Sequence, residues 1–487
     1  MAAALLVAPA GDTQPQGGPA GLTAGDLTGT WAGTATHDGE SQPLALDLGP
    51  GEGGRVPVSL SVPITYLDHV MLGRPMLTVH GDSVRLGPFA FIYDRESGTL
   101  KGTMPAAFVP VYSIPIRLKK TARFDLPSRA PLAVPEARPR WTFDAGSPIW
   151  AGPTVAGGLV YAGTQAGWIY ALDERGGARR WAYRAGGPVR TRPVMAKGAL
   201  YAQSDDGFLN ALEAKSGKLR WRVRINRRPI ERLPFSNPAS RFDRFGSDVT
   251  VAAGRLYVGT HEGRVLAIDA SSGRIVWEFG AGDAVLSAPA VSDGRVLFGS
   301  YDHFVYALEA ATGRLLWKRD TQGAVVSTPA IAGDVAVIGN RCYDLLGLDV
   351  RSGDVVWKRY VWMSWVESSA SIVDSVAYVG SSDAVAVYAF NARDGRRLWA
   401  SDVHGWAWGQ PAVSDGRVYM GTSGQVGYPV RHEGAMLALD RASGAALWRY
   451  SVAPPDSGAF GFPGSPALGP GGVFAGGLDG HVYAFAR

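Results

Sequence analysis

A nine-residue phrase recurs along the chain and limits what the chain can fold into. In residues 269–277 it reads DASSGRIVW, with an acid first, a glycine four residues later and a tryptophan at the end. Six further copies keep this spacing, one of them with Asn in the place of the acid. Successive tryptophans of the phrase are 40, 56, 40, 40, 42 and 49 residues apart. A period near 40 residues with turn residues at fixed offsets is typical of the blades of a β-propeller.

The copy number predicts an all-β, eight-bladed propeller that is closed by its own first strand. Eight inner-strand phrases, such as SAPAV at 287–291, accompany only seven complete copies of the docking phrase. The eighth tryptophan is Trp141, which stands 40 residues before Trp181. A strand at Trp141 that pairs with the last blade would leave no open edge. In each copy we expect the acid to end the third strand, the glycine to permit the next turn and the indole to pack between blades.

The rest of the chain divides into three further segments. We interpret residues 1–24 as a disordered leader or signal-peptide remnant, because a short apolar run there ends in small residues. Residues 25–124 hold short, partly alternating segments between turn residues, which predicts a small all-β domain, a barrel or sandwich of six to eight antiparallel strands. Residues 125–137 form a Pro-rich linker before the propeller at 138–487. The leader favours a periplasmic or secreted protein; a cytoplasmic protein with an Ala-rich leader is the alternative.

Composition and charge argue against several classes of protein. The net charge is +5 over 487 residues, and Lys and Arg are scattered through the repeats, so we expect no nucleic-acid partner. No run of 18 apolar residues is present, and we expect no membrane span. Cys342 is the only cysteine, which excludes an intramolecular disulfide and a CxxC metal motif.

Function is expected where the copies of the repeat differ. Insertions at 222–245 and 451–465 each follow a docking tryptophan, and 423–436 lies between a second and a third strand. In an up-and-down blade these connections emerge on one face. Apart from Trp31 in the small domain, we expect the tryptophans outside the docking phrase to lie in connections on that same face: Trp150, Trp168, Trp362, Trp365, Trp406 and Trp408. Clustered indoles at a rim are typical of a binding surface; a packing layer against the small domain is the alternative.

Two positions of the inner-strand phrase form rings around the expected axis. The outer ring comprises Trp150, Arg190, Gly246, Leu286, Val326, Glu367, Trp408 and Pro463. The inner ring comprises Gly152, Arg192, Asp248, Ala288, Thr328, Ser369, Gln410 and Ser465. Charged residues replace small ones in only some blades, which favours a pocket, although ion pairs that plug the axis would use the same residue types.

These positions supply the candidate site residues. Arginine binds anions bidentately, and histidine and carboxylates serve acid–base chemistry. The catalytic candidates are Glu367, Asp248 and His404. The ligand-binding candidates are Trp150, Arg190, Arg192, Tyr301, His303, Arg341, Trp362, Trp365, Trp406, Trp408 and Gln410. No histidine pair has HxH or HxxxH spacing, so we predict no metal site.

The repeat resembles that of the quinoprotein, or PQQ-like, propellers. The pattern Y-A-L-D/E-x-x-x-G-x-x-x-W at Tyr306–Trp317 carries the resemblance, which covers residues 138–487. The resemblance to quinoprotein alcohol dehydrogenases implies PQQ and Ca²⁺ on the axis, beside a vicinal disulfide and an aspartate base. This chain has no adjacent cysteines, so we expect no cofactor, with PQQ and calcium as the alternative. A second branch, the outer-membrane assembly lipoproteins, implies a non-enzymatic propeller that binds protein partners. The segment from GTWAG to IPIRLKK also resembles a small β module found in front of other domains in secreted bacterial proteins.

Two functions follow from these observations. The first is an extracytoplasmic binding or scaffold propeller that takes a small-molecule or protein ligand at a Trp/Arg-rich mouth, on the face with the long loops. The second is an enzyme with its active site at the axial mouth, either a quinoprotein-like dehydrogenase or a cofactor-independent enzyme that acts on a small organic substrate.

Overall fold

The computed structural model describes residues 22–106, 109–126, 132–233, 237, 240, 243–414 and 416–487. The chain forms two compact units, one ending at Leu126 and the other containing the propeller and also Pro63–Leu67. No helix of the described residues is long and apolar enough to cross a membrane.

The first unit is a single antiparallel sheet preceded by a one-turn helix, α1 (Ala24–Leu27). Its strand order is β4-β3-β2-β1-β9-β8-β7-β6-β5. Trp31 lies in its core, 2% exposed, and donates its indole N–H to the carbonyl oxygen of Leu27 at 2.8 Å. The strands are β1 (Gly29–His37), β2 (Glu40–Leu48), β3 (Val58–Val62), β4 (Leu67–Gly73), β5 (Leu77–His80), β6 (Ser83–Leu86), β7 (Phe89–Asp94), β8 (Thr99–Ala106) and β9 (Val109–Thr121).

The prediction of six to eight strands for this unit was too low, because the structure has nine. The strand that the sequence did not reveal is β4. Its sequence, LDHVMLG, has no alternation of apolar and polar residues, and most of its side chains are exposed. An edge strand of this kind leaves no periodic signal.

The second unit contains eight four-stranded antiparallel sheets, which are the blades of the propeller. Blades 1 to 4 comprise β11 (Thr154–Ala156), β12 (Leu159–Gly163), β13 (Trp168–Asp173) and β14 (Arg179–Arg184); β15 (Val194–Ala196), β16 (Ala199–Ser204), β17 (Phe208–Glu213) and β18 (Leu219–Arg224); β19 (Thr250–Ala252), β20 (Arg255–Gly259), β21 (Arg264–Asp269) and β22 (Ile275–Gly280); β23 (Ala290–Ser292), β24 (Arg295–Gly299), β25 (Phe304–Glu309) and β26 (Leu315–Asp320).

The remaining blades follow the same plan, with one insertion sheet and one closing strand. Blades 5 to 8 comprise β27 (Ala330–Ala332), β28 (Val335–Gly339), β29 (Asp344–Asp349) and β30 (Val355–Tyr360); β31 (Ser371–Val373), β32 (Val376–Gly380), β33 (Ala386–Asn391) and β34 (Arg397–Asp402); β35 (Ala412–Ser414), β36 (Arg417–Gly421), β38 (Gly434–Asp440) and β39 (Ala446–Val452); β41 (Ala467–Gly469), β42 (Gly472–Gly476) and β43 (His481–Phe485) with β10 (Trp141–Asp144). The insertion sheet pairs β37 (Ser423–Gln425) with β40 (Ala459–Gly461).

The ring closes as the sequence predicted. Strand β10 pairs antiparallel with β43, placing Trp141 opposite Ala484 and Asp144 opposite His481. The first strand of the propeller therefore completes its last blade, and the eight-bladed prediction is confirmed.

The recurring phrase joins each blade to the next. Gly273 has a φ of 74°, and a Cβ placed there would lie 2.7 Å from the ring of Trp221, the docking tryptophan of the preceding blade. The Asp269 carboxylate accepts backbone N–H groups from Ser271 and Ser272 and so holds the turn. The docking indole N–H groups donate to carbonyl oxygens in the following blade at 3.0–3.3 Å, from Trp141, Trp181, Trp221, Trp277, Trp317, Trp357 and Trp399. The glycine is required because the indole occupies the space that any side chain would need.

Candidate functional site

One axial cavity of about 110 Å³ is lined by every position of the two predicted rings except Trp150. The register of the repeat was therefore sufficient to find the residues around the axis. The cavity also contacts Tyr301 and Arg341 and the end of the first insertion, residues 243–245.

The inner ring forms a hydrogen-bonded belt between neighbouring blades. A side chain at this position accepts the backbone N–H of the equivalent residue in the preceding blade. The described bonds run from Arg192 N to Asp248 Oδ1 at 2.8 Å, Ala288 N to Thr328 Oγ1 at 3.2 Å, Thr328 N to Ser369 Oγ at 2.8 Å and Gln410 N to Ser465 Oγ at 2.9 Å. Asp248 thus occupies the place that Thr and Ser take in other blades and links blade 2 to blade 3.

The acidic ring residues are paired with arginines. Arg192 Nε lies 3.5 Å from Asp248, and Arg341 Nε donates to Glu367 at 2.6 Å. The Arg341 guanidinium also lies 5.0 Å from the ring centroid of Tyr301 and 4.7 Å from that of Trp365. These pairs narrow the axis, as the ion-pair alternative predicted, and burial raises the pKa of Asp248 despite the opposing charge of Arg192.

The first insertion is anchored at the mouth by Arg232. Its guanidinium binds both carboxylate oxygens of Asp205 at 2.9 Å and donates to the carbonyl oxygens of Asp243 and Phe245. Arg190 lies 3.4 Å from the same Asp205 carboxylate. Two guanidinium groups therefore share one carboxylate, and the negative charge of Asp243 acts on both of them.

The insertion continues from this anchor into the mouth. Phe245 packs edge-on against Trp150 and Trp408, with ring centroids 6.2 and 6.4 Å apart. Arg244 lies over the faces of both indoles, its Cζ 5.5 Å from the centroid of Trp150 and 4.9 Å from that of Trp408. The two residues fill most of the mouth, which explains the small volume of the axial cavity.

A larger cavity of about 840 Å³ lies on the outer side of Arg244 and Phe245, where the three insertions meet. Its polar and aromatic lining includes Trp150, Arg190, Arg232, Arg244 and Tyr428. Residues 425–429 and 458–459, from the second and third insertions, complete the wall. The prediction that all three insertions share one face agrees with this arrangement. We refer to this space as the outer cavity.

Burial changes the protonation behaviour of groups around the mouth. It lowers the pKa of Arg190 to about 10, with a further contribution from the positive charge of Arg232, and lowers the pKa of Arg244 to about 10. Burial also raises the pKa of Asp383, whose carboxylate accepts from Trp406 at 3.1 Å and from the Tyr428 hydroxyl at 2.9 Å. Because burial disfavours the charged forms of Arg190 and Arg244, an anion bound beside them would stabilise those charged forms.

The predicted site residues separate into groups. Those that line the axial cavity are Arg190, Arg192, Asp248, Tyr301, Arg341, Glu367, Trp408 and Gln410, and Trp150 lines the outer cavity. Trp365 and Trp406 contact residues that line the axial cavity. Trp365 lies against the Arg341 guanidinium, and Trp406 stacks on Trp408 with ring centroids 4.6 Å apart.

Three candidates lie elsewhere. Trp362 is 4% exposed and packs edge-on against Tyr360. His303 is exposed in the turn between β24 and β25. His404 is 3% exposed and its Nδ1 lies 3.2 Å from Glu433 Oε1, so it pairs away from Asp248 and Glu367.

One placement from the sequence is wrong. Trp168 was assigned to a connection, but it is the first residue of strand β13, with Tyr170 stacked beside it and Arg184 over its ring. Sequence reasoning also missed Asp205, Arg232, Arg244 and Phe245. Three of these lie in the first insertion, outside the repeat register, and the only available signal was the density of arginines there.

The residues present do not fit PQQ. Arg244 and Phe245 fill the space between Trp150 and Trp408, and the 110 Å³ that remains is below the several hundred Å³ typical of small-molecule sites. Among the described residues no three His, Cys, Asp or Glu side chains converge as a metal site requires.

The fold and its site define a class of protein, an eight-bladed propeller of tryptophan-docked repeats whose mouth is narrowed by inserted loops. The sequence profile of the family described as "Outer membrane protein assembly factor BamB" matches residues 133–243, 231–376 and 361–487, so the chain belongs to that family. Over 112 residues the chain is 38% identical to the outer membrane protein assembly factor BamB of Yersinia pestis. The matched region covers 23% of this chain and only 25% of the length of the relative.

Solved structures share the fold. BamB from Moraxella catarrhalis is similar with a TM-score of 0.54 and 18% identity, over 72% of this chain and 97% of that one. Quinohemoprotein alcohol dehydrogenase from Comamonas testosteroni is similar with a TM-score of 0.54 and 15% identity, over 72% and 76%. The computationally designed Ika8 protein gives a TM-score of 0.58 at 17% identity, over 73% and 99%. At these identities the likenesses establish the PQQ-type propeller fold alone.

Proposed function

We propose that this chain is a non-enzymatic binding propeller of the bacterial periplasm or exterior, and that its mouth docks an anionic segment of a protein partner. The outer cavity carries this proposal. Three guanidinium groups, those of Arg190, Arg232 and Arg244, line a space of about 840 Å³, against a single carboxylate among its described lining residues, that of Asp243. Arginine recognises carboxylates through charge-assisted, often bidentate hydrogen bonds, and Trp150 and Tyr428 add aromatic surface of the kind enriched in binding hot spots.

A protein partner fits the setting better than a metabolite. The cavity is formed by three loops on one face of the propeller, and loops held on a rigid scaffold are usual places for recognition. The family description, an outer membrane protein assembly factor, points to proteins as the molecules it handles. The same description supports the periplasmic or secreted location proposed from the leader.

The enzyme alternative gains no support from the geometry. Asp248 links two blades, Glu367 binds Arg341, and His404 lies beside Glu433. A catalytic acid and base need to reach one substrate together, and these three groups belong to separate pairs. We therefore expect no dye reduction with alcohols or sugars when PQQ and Ca²⁺ are added to the purified protein.

The binding proposal is tested with two matched hexapeptides titrated into the intact protein by calorimetry. One peptide carries two carboxylates beside a tyrosine, and the other has the corresponding amides. We expect the charged peptide alone to bind, with an affinity that falls as salt rises because exposed charges are screened. Replacing Arg190→Gln should weaken binding about tenfold, since loss of a charge-assisted hydrogen bond costs about 1.4 kcal/mol or more.

The control is Arg228→Gln, which removes the same charge from an exposed position in the first insertion. It should leave the affinity nearly unchanged. Equal binding of the charged and amide peptides, or equal losses in the two variants, would contradict the proposal.

A further inference from the structure

Three indoles surround the guanidinium group of Arg244. Its Cζ lies 4.9 Å from the ring centroid of Trp408, 5.5 Å from that of Trp150 and 5.8 Å from that of Trp406. Each distance is within the range, about 6 Å, in which the ring quadrupole attracts a cation, and tryptophan is the strongest partner for this interaction. We refer to Trp150, Trp406 and Trp408 as the cage.

The cage is held open by bonds that do not involve Arg244. The indole N–H of Trp150 donates to Gln165 Oε1 at 2.8 Å, that of Trp406 to Asp383 Oδ1 at 3.1 Å, and that of Trp408 to Ser382 Oγ at 3.3 Å. These bonds fix the edges of the rings. Arg244 shares the ring of Trp150 with Arg190, whose Cζ lies 5.4 Å from its centroid, and shares the ring of Trp408 with Trp406, which stacks on it.

Charges of both signs act on the cation in the cage. The negative charge of Glu367 favours the charged form of Arg244, whereas burial and the positive charges of Arg190 and Arg341 oppose it. Glu367, Trp408 and Arg244 all line the axial cavity, and the Glu367 carboxylate is itself bound by Arg341.

The occupant comes from a different part of the chain than the cage. Arg244 belongs to the insertion after blade 2, whereas Trp150 precedes blade 1 and the stacked pair Trp406 and Trp408 connects blades 6 and 7. Arg244 therefore binds the cage from a separate segment of the same polypeptide, as an intramolecular ligand.

We infer that the mouth is a guanidinium-binding cage in which Arg244 is the intramolecular ligand, and that an external guanidinium, such as the arginine side chain of a partner, takes the site once Arg244 leaves it. This inference shares Arg244 and Trp150 with the anionic docking proposed for the outer cavity. The two tests use different substitutions and probes, Arg190→Gln with an anionic peptide and Arg244→Ala with a guanidinium, so either proposal can fail alone.

The test uses Arg244→Ala in the full-length protein, with Arg228→Ala as the control for loss of an exposed arginine from the same insertion. Each is titrated with N-methylguanidinium and with methylammonium by calorimetry. We expect N-methylguanidinium to bind Arg244→Ala at least tenfold more tightly than wild type or Arg228→Ala. Methylammonium should bind more weakly, because the planar guanidinium stacks on indole faces.

A double variant, Arg244→Ala with Trp408→Ala, should lose the gained binding, which separates the cage from any other new cavity. Circular dichroism establishes that each variant is folded, and Arg244→Ser is titrated under the same criteria if Arg244→Ala fails to fold. Binding of N-methylguanidinium that is no tighter than to Arg228→Ala, or that persists without Trp408, would overturn the inference.

Discussion

At the scale of single residues, the glycine of the repeated phrase has two separate constraints. Its positive φ disfavours any residue with a Cβ, and the indole of the preceding blade covers the position where the Cβ would lie. The phrase is therefore a contact between blades as well as a turn, which is why glycine and tryptophan recur together.

Replacing Gly273→Ala should lower the free energy of unfolding by about 2 kcal/mol or more, since a left-handed backbone strains alanine and its Cβ would meet the Trp221 ring. Urea unfolding measures the change. Gly254→Ala is the matched control, because Gly254 has a φ of 76° but a Cβ there would meet no described atom within 4 Å. Equal effects at the two positions would show that the indole contact is not the cause.

The raised pKa of Asp383 predicts how the stability of the protein depends on pH. Its pKa is raised by burial, so the unfolded chain releases this proton at a lower pH than the folded protein does. Above the ordinary value of about 3.9, the wild type therefore loses stability as pH rises, until the folded pKa is passed. The Asp383→Asn variant has no carboxyl at this position and should not lose stability in this way.

The stability of wild type relative to Asp383→Asn should accordingly decrease as the pH rises above about 4 in urea unfolding. The exposed Asp456→Asn serves as the control and should show no such trend. A difference between wild type and Asp383→Asn that is constant with pH would contradict the assignment.

Residues in register with the repeat could be predicted, and residues outside it could not. Arg190, Glu367 and Trp408 were found at the mouth because each occupies a position that other blades fill with a different side chain. Arg244 and Phe245 have no counterpart in the repeat, and their position depends on how Arg232 binds Asp205. Such a contact between a loop and a distant strand end leaves no local pattern in the sequence.

At the scale of elements, the closing strand β10 could be predicted by counting the repeats. A single surplus tryptophan predicted its pairing with the last blade, and the structure confirms that pairing. The pairing of β37 with β40 was beyond prediction, since each strand has three residues and one of the two contains Gly461 with a φ of 92°.

Removing the indole of the closing strand should weaken the ring. We expect Trp141→Ala to lower the free energy of unfolding by about 3 kcal/mol, because the indole packs on Phe474 and Gly177 and donates to Glu174 O. Hydrogen exchange should accelerate first in β43, its partner strand. Thr142→Ala, at an exposed position of the same strand, should change neither quantity. Equal exchange rates in both variants would contradict closure through Trp141.

At the scale of the whole molecule, the shared repeats build the scaffold and three insertions build the mouth. The PQQ-like repeat that spans most of the chain was predictable from the sequence, whereas membership of the BamB family follows from the family profile. The chemistry of the mouth was not predictable, because it depends on how three loops from distant blades meet. The result is an aromatic cage closed by an arginine, with an arginine-lined cavity outside it.

The location of binding is the most direct test of this account. p-Benzoylphenylalanine is placed at Leu233, an exposed residue that lines the outer cavity, and in a second protein at Val356, an exposed residue on the outermost strand of blade 5. After irradiation with the dicarboxylate hexapeptide, we predict cross-linking at Leu233 that is suppressed by salt and absent with the amide peptide, and no cross-linking at Val356. Equal cross-linking at both positions, or at neither while the peptide binds, would contradict the assignment of the mouth as the binding site.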